Sequence, residues 1–316
     1  MGKTAFVFPG QGAQSVGMGR DVYEAHDGAR KLFEQANEAL GFELSELIFN
    51  GPEDQLKLTV NTQPALLTTS CAYLHVLRES GITADYVAGH SLGEYSALVC
   101  AGVMSFQDAV RTVRLRGEFM EQAVPAGLGT MAAVLGAERE ALANLCKTVS
   151  EEIGAVEMAN VNCPGQIVVS GTVQGVQAIA ERAKEIGAKR VVQLEVSGPF
   201  HSSLMRPAAE KLRSVLERTG MRDADIPVIA NVTAEPVTSA SEIRALLVEQ
   251  VVSPVLWEDS VKRLVAEGVD TFVEIGSGSV LTGLIRKIDR SLNVYTVNSL
   301  ESLRQAAESL RASSEA

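Results

Sequence analysis

The stretch Tyr86-Val87-Ala88-Gly89-His90-Ser91-Leu92-Gly93-Glu94-Tyr95-Ser96-Ala97 sets three things in succession: a short apolar run, a turn with glycine on either side of a serine, and the start of a helical run that reaches Ala101. Strand, tight turn and helix in that order is the context of a G-x-S-x-G nucleophile elbow. The turn is so sharp that its flanking positions must be small, and the serine stands at the carboxyl edge of a sheet over the positive end of a helix. Ser91-Leu92-Gly93-Glu94 also fits the S-x-x-E capping box, in which the hydroxyl only satisfies a backbone N–H. Capping accounts for Ser91 and Glu94 but not for glycine at both 89 and 93, so the stretch favours a nucleophile on an α/β sheet.

Outward from it, Thr4–Phe8, Pro227–Val232, Thr271–Ile275 and Val294–Val297 read as further short apolar strands separated by amphipathic stretches, an α/β pattern with a mainly parallel sheet. Between Pro125 and Pro199 the rhythm changes to strand 130–135, helix 138–150, strands 155–161 and 167–170, helix 173–187 and strand 190–194. That is the βαββαβ order of a ferredoxin-like unit. Pro164-Gly165 reads as the turn between its middle strands, and Pro125–Gly129 and Ser197–Pro199 as hinges. The expected organisation is a discontinuous large domain, 1–125 and 198–316, interrupted by a small domain at 126–197. Its active-site cleft should lie between the two.

The 316 residues carry 28 Lys+Arg against 39 Asp+Glu, a net charge of −11, with no basic stripe of the kind that displaces counterions from nucleic acid. At 46% hydrophobic and 21% charged the chain reads as globular, with only Ala312 to Ala316 expected to lack order. The longest apolar stretch, Ala97 to Met104, falls far short of the roughly 20 residues of a membrane span. One Lys and a four-residue apolar run, Ala5 to Phe8, before Pro9 make no signal peptide, and neither terminus carries a lipidation motif. Cys71, Cys100, Cys146 and Cys163 form no CxxC pair, so buried thiols in a reducing cytoplasm are expected, without disulfides or a zinc knuckle.

A serine nucleophile needs a base, and the chain has four histidines. His90 adjoins Ser91 in a tight turn that should drive the side chains apart. His75 lies inside the helical run Thr62–Glu79 and His26 in an early polar stretch; both read as packing or surface residues. His201, in Gly198-Pro199-Phe200-His201-Ser202, is a loop histidine downstream of the serine, the chain order of α/β-hydrolase-type sites. The residues alone leave base and structural histidine equally open.

Phe106, Val110, Val113, Gly117, Met120 and Val124 form one apolar stripe on the helix beginning at Ser105, with Arg116 about 80° from its centre, at the border of the buried face. Arg114 has Glu118 and Arg111 has Asp108 at helical spacing, whereas Arg116 has no carboxylate there. It is therefore available to a ligand carboxylate, the alternatives being a distant ion pair or a solvated side chain. Pro9-Gly10-Gln11-Gly12-Ala13-Gln14 is neither a dinucleotide fingerprint nor a P-loop. Gln11 could offer a backbone N–H to an oxyanion beside that of Leu92, or simply end a strand. Gly276-Ser277-Gly278 fails the GxGxxG pattern at Leu281.

With these residues in place the chain resembles the malonyl-CoA:acyl carrier protein transacylases over nearly its whole length. The resemblance is carried by Phe8–Gln14, Gln63-Pro64-Ala65, Gly89–Leu98, Leu115-Arg116-Gly117, Asn162–Gln166, Phe200-His201 and Gln250. It implies an α/β-hydrolase-like catalytic domain in which Ser91 is acylated, His201 is the general base and then acid, and Arg116 holds the malonyl carboxylate. The amides of Gln11 and Leu92 form the oxyanion hole, and the Gln250 carbonyl orients the histidine, making a dyad. The implied partners are malonyl-CoA and acyl carrier protein, with no metal and no cofactor. Leu92 and Phe200 match the residues that accompany malonyl rather than methylmalonyl use. Ser277 replaces the family's usual Pro, expected to loosen that turn. The carrier is acidic, so the chain's own negative charge must be overcome locally, with Lys189 and Arg190, and Arg286, Lys287 and Arg290, as candidate basic clusters. The rivals are a hydrolase-type thioesterase or esterase, and a silent carrier-binding module.

Overall fold

The computed structural model describes residues 2–315. Strands β1 (Lys3–Phe8), β2 (Tyr86–Gly89), β3 (Gly129–Leu135), β4 (Val156–Cys163), β5 (Gln166–Thr172), β6 (Arg190–Gln193), β7 (Val228–Ile229), β8 (Pro236–Val237), β9 (Val269–Ile275) and β10 (Asn293–Val297) divide between two sheets. The first half of the chain carries helices α1 (Arg20–Ala25), α2 (Asp27–Leu40), α3 (Leu44–Asn50), α4 (Glu53–Lys57), α5 (Thr59–Glu79), α6 (Gly93–Cys100) and α7 (Phe106–Gln122). The second carries α8 (Arg139–Glu152), α9 (Val173–Arg182), α10 (Arg206–Arg218), α11 (Ala240–Gln250), α12 (Trp257–Ala266), α13 (Val280–Ile288) and α14 (Leu300–Glu315).

The larger sheet has the order β10-β9-β1-β2-β7-β8 and is parallel except for β8. Its central strand β1 is buried from Ala5 to Phe8 and covered on both faces, which is why these strands read as apolar runs rather than alternating ones. The smaller sheet, β4-β5-β3-β6, is wholly antiparallel with βαββαβ connectivity, the ferredoxin-like arrangement expected. It keeps a core of its own around Leu142, Val149, Val169 and Ile179. Met131, Ala159 and Val168 on its strands join the core of the larger unit instead. An isolated bridge from Asn160 to Val255 ties β4 to the loop before α12.

Several expected boundaries move. The Pro227–Val232 strand shrinks to the two residues of β7, because the chain leaves the sheet at Ala230 and turns Asn231 inward beneath the elbow. The helix expected over 173–187 is α-helical to Arg182 and then a 3₁₀ turn, Ala183–Ile186. α7 ends at Gln122, leaving Val124 beyond its stripe, and α13 ends before Arg290. α14 runs to Glu315 through a tail expected to lack order; Ala316 lies outside the described residues. Among the described residues no helix is long and apolar enough to cross a membrane, and the four cysteines are buried free thiols.

Candidate active site

The elbow is built from backbone proximity. A Cβ on Gly89 would lie 1.9 Å from the Gly93 carbonyl carbon, and one on Gly93 2.1 Å from the Phe8 carbonyl oxygen, so the paired glycines let β2, α6 and the end of β1 touch. Three described non-glycine residues have positive φ, and two of them are Ser91 (52°) and His201 (55°). Such left-handed conformations cost on the order of 1–3 kcal/mol each and persist only where the surroundings fix them. Here the Ser91 N–H donates to Asn231 Oδ1 at 2.8 Å, and the Ser91 carbonyl accepts from Gln250 Nε2 at 3.0 Å.

Ser91 does not cap α6: the helix begins after Leu92 with no side-chain cap, and the hydroxyl is engaged elsewhere. Its Oγ lies 2.7 Å from His201 Nε2, while His201 Nδ1 donates to the Gln250 carbonyl at 2.8 Å. A carbonyl can only accept, so the proton sits on Nδ1 and the Nε2 lone pair faces the serine. Burial, reinforced by the Arg116 guanidinium, lowers His201 to about 3 and holds it neutral. His90 diverges as expected, its Nε2 reaching Asn162 Oδ1 at 2.8 Å.

Arg116 departs from its expected border position: it is 1% exposed, because α7 packs against α5 and α10 as well as α2, and the face at Arg116 is closed by Gln63 of α5. Its two terminal nitrogens donate to Gln63 Oε1 and Gln250 Oε1, each at 2.8 Å, and one also lies 3.2 Å from Ser91 Oγ. Among the described residues no carboxylate pairs with it, and its buried Nε–H has no hydrogen-bond partner. Glu94 is the nearby acid, one amide away: its Oε2 accepts from Gln250 Nε2 at 2.8 Å, and burial raises its carboxyl to about 7. Gln250 therefore turns its oxygen to Arg116, its nitrogen to Glu94 and its backbone carbonyl to His201.

Gln11, His90, Ser91, Leu92, Arg116 and Met120 meet Met131, Asn160, Leu194, Val196, Phe200 and His201 around a cavity of about 100 Å³ between the two sheets' units. The backbone N–H groups of Gln11 and Leu92 have no partner among the described residues, and the Gln11 side chain donates to Thr59 Oγ1. Gly10 permits this approach, since a Cβ there would lie 2.3 Å from the His90 carbonyl oxygen. The Ser277 hydroxyl donates to the Ala13 carbonyl at 2.6 Å, tying its turn to the loop after β1. The sequence reading missed Asn231 and Glu94's true role, and took Gln63 only as part of a matching motif. Asn231's one signal is being polar within an otherwise apolar run, and the convergence of the three exists only in three dimensions.

The chain matches the family model described as acyl transferase domain over residues 5–312. It is 56% identical over 311 residues to the malonyl CoA-acyl carrier protein transacylase of Bacillus subtilis, covering 98% of each chain. A crystal structure of an acyl carrier protein S-malonyltransferase from Vibrio cholerae superposes with a TM-score of 0.94 at 43% identity, covering 96% of this chain and 99% of that one. A malonyl-transacylase solved in complex with its type II PKS acyl-carrier protein matches with the same TM-score and identity over 97% and 99%. An elbow serine bonded to a neutral histidine, a buried arginine beside it, and identity at this level along the full length lead to one assignment: the chain belongs to the acyl transferase family and, within it, to the malonyl-CoA:acyl carrier protein transacylases.

Proposed function

We propose that the protein transfers the malonyl group from malonyl-CoA to the pantetheine thiol of acyl carrier protein through a malonyl ester on Ser91, supplying extender units for fatty-acid synthesis. The observation that carries this reading is Arg116: a buried guanidinium without a carboxylate partner, 3.2 Å from the nucleophile. A carboxylate on the acyl group would give it a charge-assisted, bidentate partner. An ordinary esterase has no use for such a cation.

Ser91 Oγ attacks the thioester carbonyl while His201 Nε2 takes its proton, and the amides of Gln11 and Leu92 receive the developing oxyanion. The malonyl carboxylate neutralises Arg116, which after burial is the next largest cause that depresses His201, so substrate binding itself makes the base more basic. His201 then returns the proton to the departing CoA thiolate. The carrier thiol, deprotonated by the same histidine, attacks the malonyl ester and restores Ser91. The Gln250 carbonyl keeps Nδ1 protonated throughout, and Glu94 holds the Gln250 side chain that presents Arg116.

The small cavity suits a short acyl unit, and Leu92 and Phe200 beside the dyad crowd a branch at the substrate's α-carbon. Nucleophile, base, oxyanion donors and carboxylate ligand all come from the chain, so the scheme calls for no metal or organic cofactor. We read residues 126–197 as an inserted domain roofing the site, and the four buried free thiols suit a reducing cytoplasm. One member of each basic cluster comes to the same end of the smaller sheet: Lys287 Nζ donates to Gln166 Oε1, Gln166 pairs with Leu135, and Leu135 with Arg190. We place the acidic carrier there.

Steady-state kinetics with both substrates varied test the proposal. Parallel double-reciprocal lines and carrier-dependent turnover are expected; intersecting lines, or release of free malonate at a rate indifferent to carrier, would overturn it.

A further inference from the structure

We propose that His26, His75 and Glu79 form a binding site for a borderline divalent transition-metal ion, Zn(II) above all, where the corner between α1 and α2 packs on the end of α5. His26 is the single residue between α1 and α2, in extended backbone with φ −137° and ψ 113°. A residue in that place ordinarily caps the following helix with a short polar side chain. The His26 ring caps nothing and turns to α5, its Nε2 2.7 Å from Glu79 Oε2. His75, one turn before Glu79 on the same helix face, places its Nε2 3.3 Å from the other oxygen, Oε1. A Cβ on Gly28 would lie 2.1 Å from His75 Nε2, so the imidazole stands directly against the bare backbone of α2's first turn.

One donor atom from each of the three side chains lies within 4.8 Å of the others. Zinc bonds of about 2.0–2.1 Å to nitrogen and oxygen in a tetrahedron put ligands roughly 3.3 Å apart. The His75 contact already has this separation, and the His26 contact has to open by about 0.6 Å. The side chains, 27%, 41% and 53% exposed for His26, His75 and Glu79, have room for that adjustment, and solvent reaches the fourth position. Two imidazoles with one carboxylate select Zn(II), Cu(II), Ni(II) or Co(II) over Mg(II) and Ca(II), which prefer all-oxygen sets. Glu79 lies 16 residues along α5 from Gln63, about 24 Å at the helical rise, so the ion acts as a clamp on the α1–α2 corner, apart from the chemistry at Ser91.

The test is a calorimetric titration of the chelator-treated full chain with Zn(II) near neutral pH, together with thermal unfolding at increasing Zn(II). Saturable one-to-one uptake is expected, with a melting temperature that climbs with the logarithm of free Zn(II). His75→Ala and Glu79→Gln should each weaken uptake at least tenfold while malonyl transfer stays at the wild-type rate. His26→Asn, which puts a good helix-capping residue in that place, should do the same without loss of fold. Absence of saturable uptake, or uptake unchanged in His75→Ala and Glu79→Gln, overturns the proposal, as does a melting temperature that responds to these substitutions but not to Zn(II).

Discussion

Replacing Arg116 with alanine separates substrate recognition from the rest of the machinery. The guanidinium donates to Gln63 and Gln250 at 2.8 Å and touches Ser91 Oγ at 3.2 Å, so it stands where an acyl group on that oxygen would carry its free carboxylate. Hydrogen bonds to charged groups contribute about 1.5–3 kcal/mol each. At about 1.4 kcal/mol per factor of ten, loss of one such interaction lowers kcat/KM for malonyl-CoA by roughly 10- to 150-fold, and loss of a bidentate pair by more. Acetyl-CoA has no carboxylate and gains nothing from the cation, so its kcat/KM should hold or rise, and the malonyl-to-acetyl ratio should fall at least tenfold. The substitution also strips the donor from two buried amide oxygens, at about 1–3 kcal/mol each, so part of any loss reflects stability. Arg116→Lys, which keeps a charge without the planar fork, should fall between wild type and alanine. The assay is a carrier-loading reaction with both thioesters, at a temperature where each variant is shown folded by circular dichroism. Equal losses for malonyl and acetyl would mean that Arg116 only holds Gln63 and Gln250 in place, and the carboxylate argument would fail.

Other consequences are equally direct. Gly93→Ala forces a Cβ to 2.1 Å from the Phe8 carbonyl oxygen and should destabilise the fold by about 3 kcal/mol or more in chemical unfolding, whereas Gly283→Ala, with nothing within 4 Å, should gain up to about 1 kcal/mol. His201 is lowered to about 3 from 6.5, so the unfolded chain binds the extra proton and stability should drop as pH falls from 6.5 towards 3; His201→Asn should flatten that limb, leaving the share due to buried His90, which is lowered in the same direction. Glu94 is raised to about 7 from 4.5 and acts oppositely, its stabilisation fading as pH rises from 4.5 to 7; Glu94→Gln should remove this slope, as urea midpoints across pH would register. Phe200 is buried in the cavity wall with its ring packed on Gly198, so Phe200→Ala should improve methylmalonyl-CoA relative to malonyl-CoA by about tenfold in competition assays.

What the residues disclosed before any coordinates follows from how local each signal is. Strand, elbow and helix at Tyr86–Ala101, and the change to βαββαβ after Pro125, depend on neighbours in sequence and were legible. Arg116 was misplaced at a border because a single stripe presumes one packing partner, and α7 has several. The 227–232 run was apolar for burial as a loop rather than as a strand, and only Val228–Ile229 pairs. Glu94 looked like half of a capping box because the letters permit it; it lies under Gln250 because the Ser91 hydroxyl is already committed to His201. Asn231, Gln63 and the approach of His26 to the helical pair His75 and Glu79 depend on residues tens of positions apart, which periodicity cannot bring together.

The central claim is that Ser91 carries the malonyl group between two thiols. Intact-mass spectrometry of the protein after brief exposure to malonyl-CoA, with peptide mapping and addition of carrier protein or buffer alone, tests it most directly. The account predicts a single malonyl adduct on Ser91 that is absent from Ser91→Ala, survives in buffer, and is discharged rapidly by the carrier. An adduct at another residue, none at all, or one lost equally fast to water would contradict it.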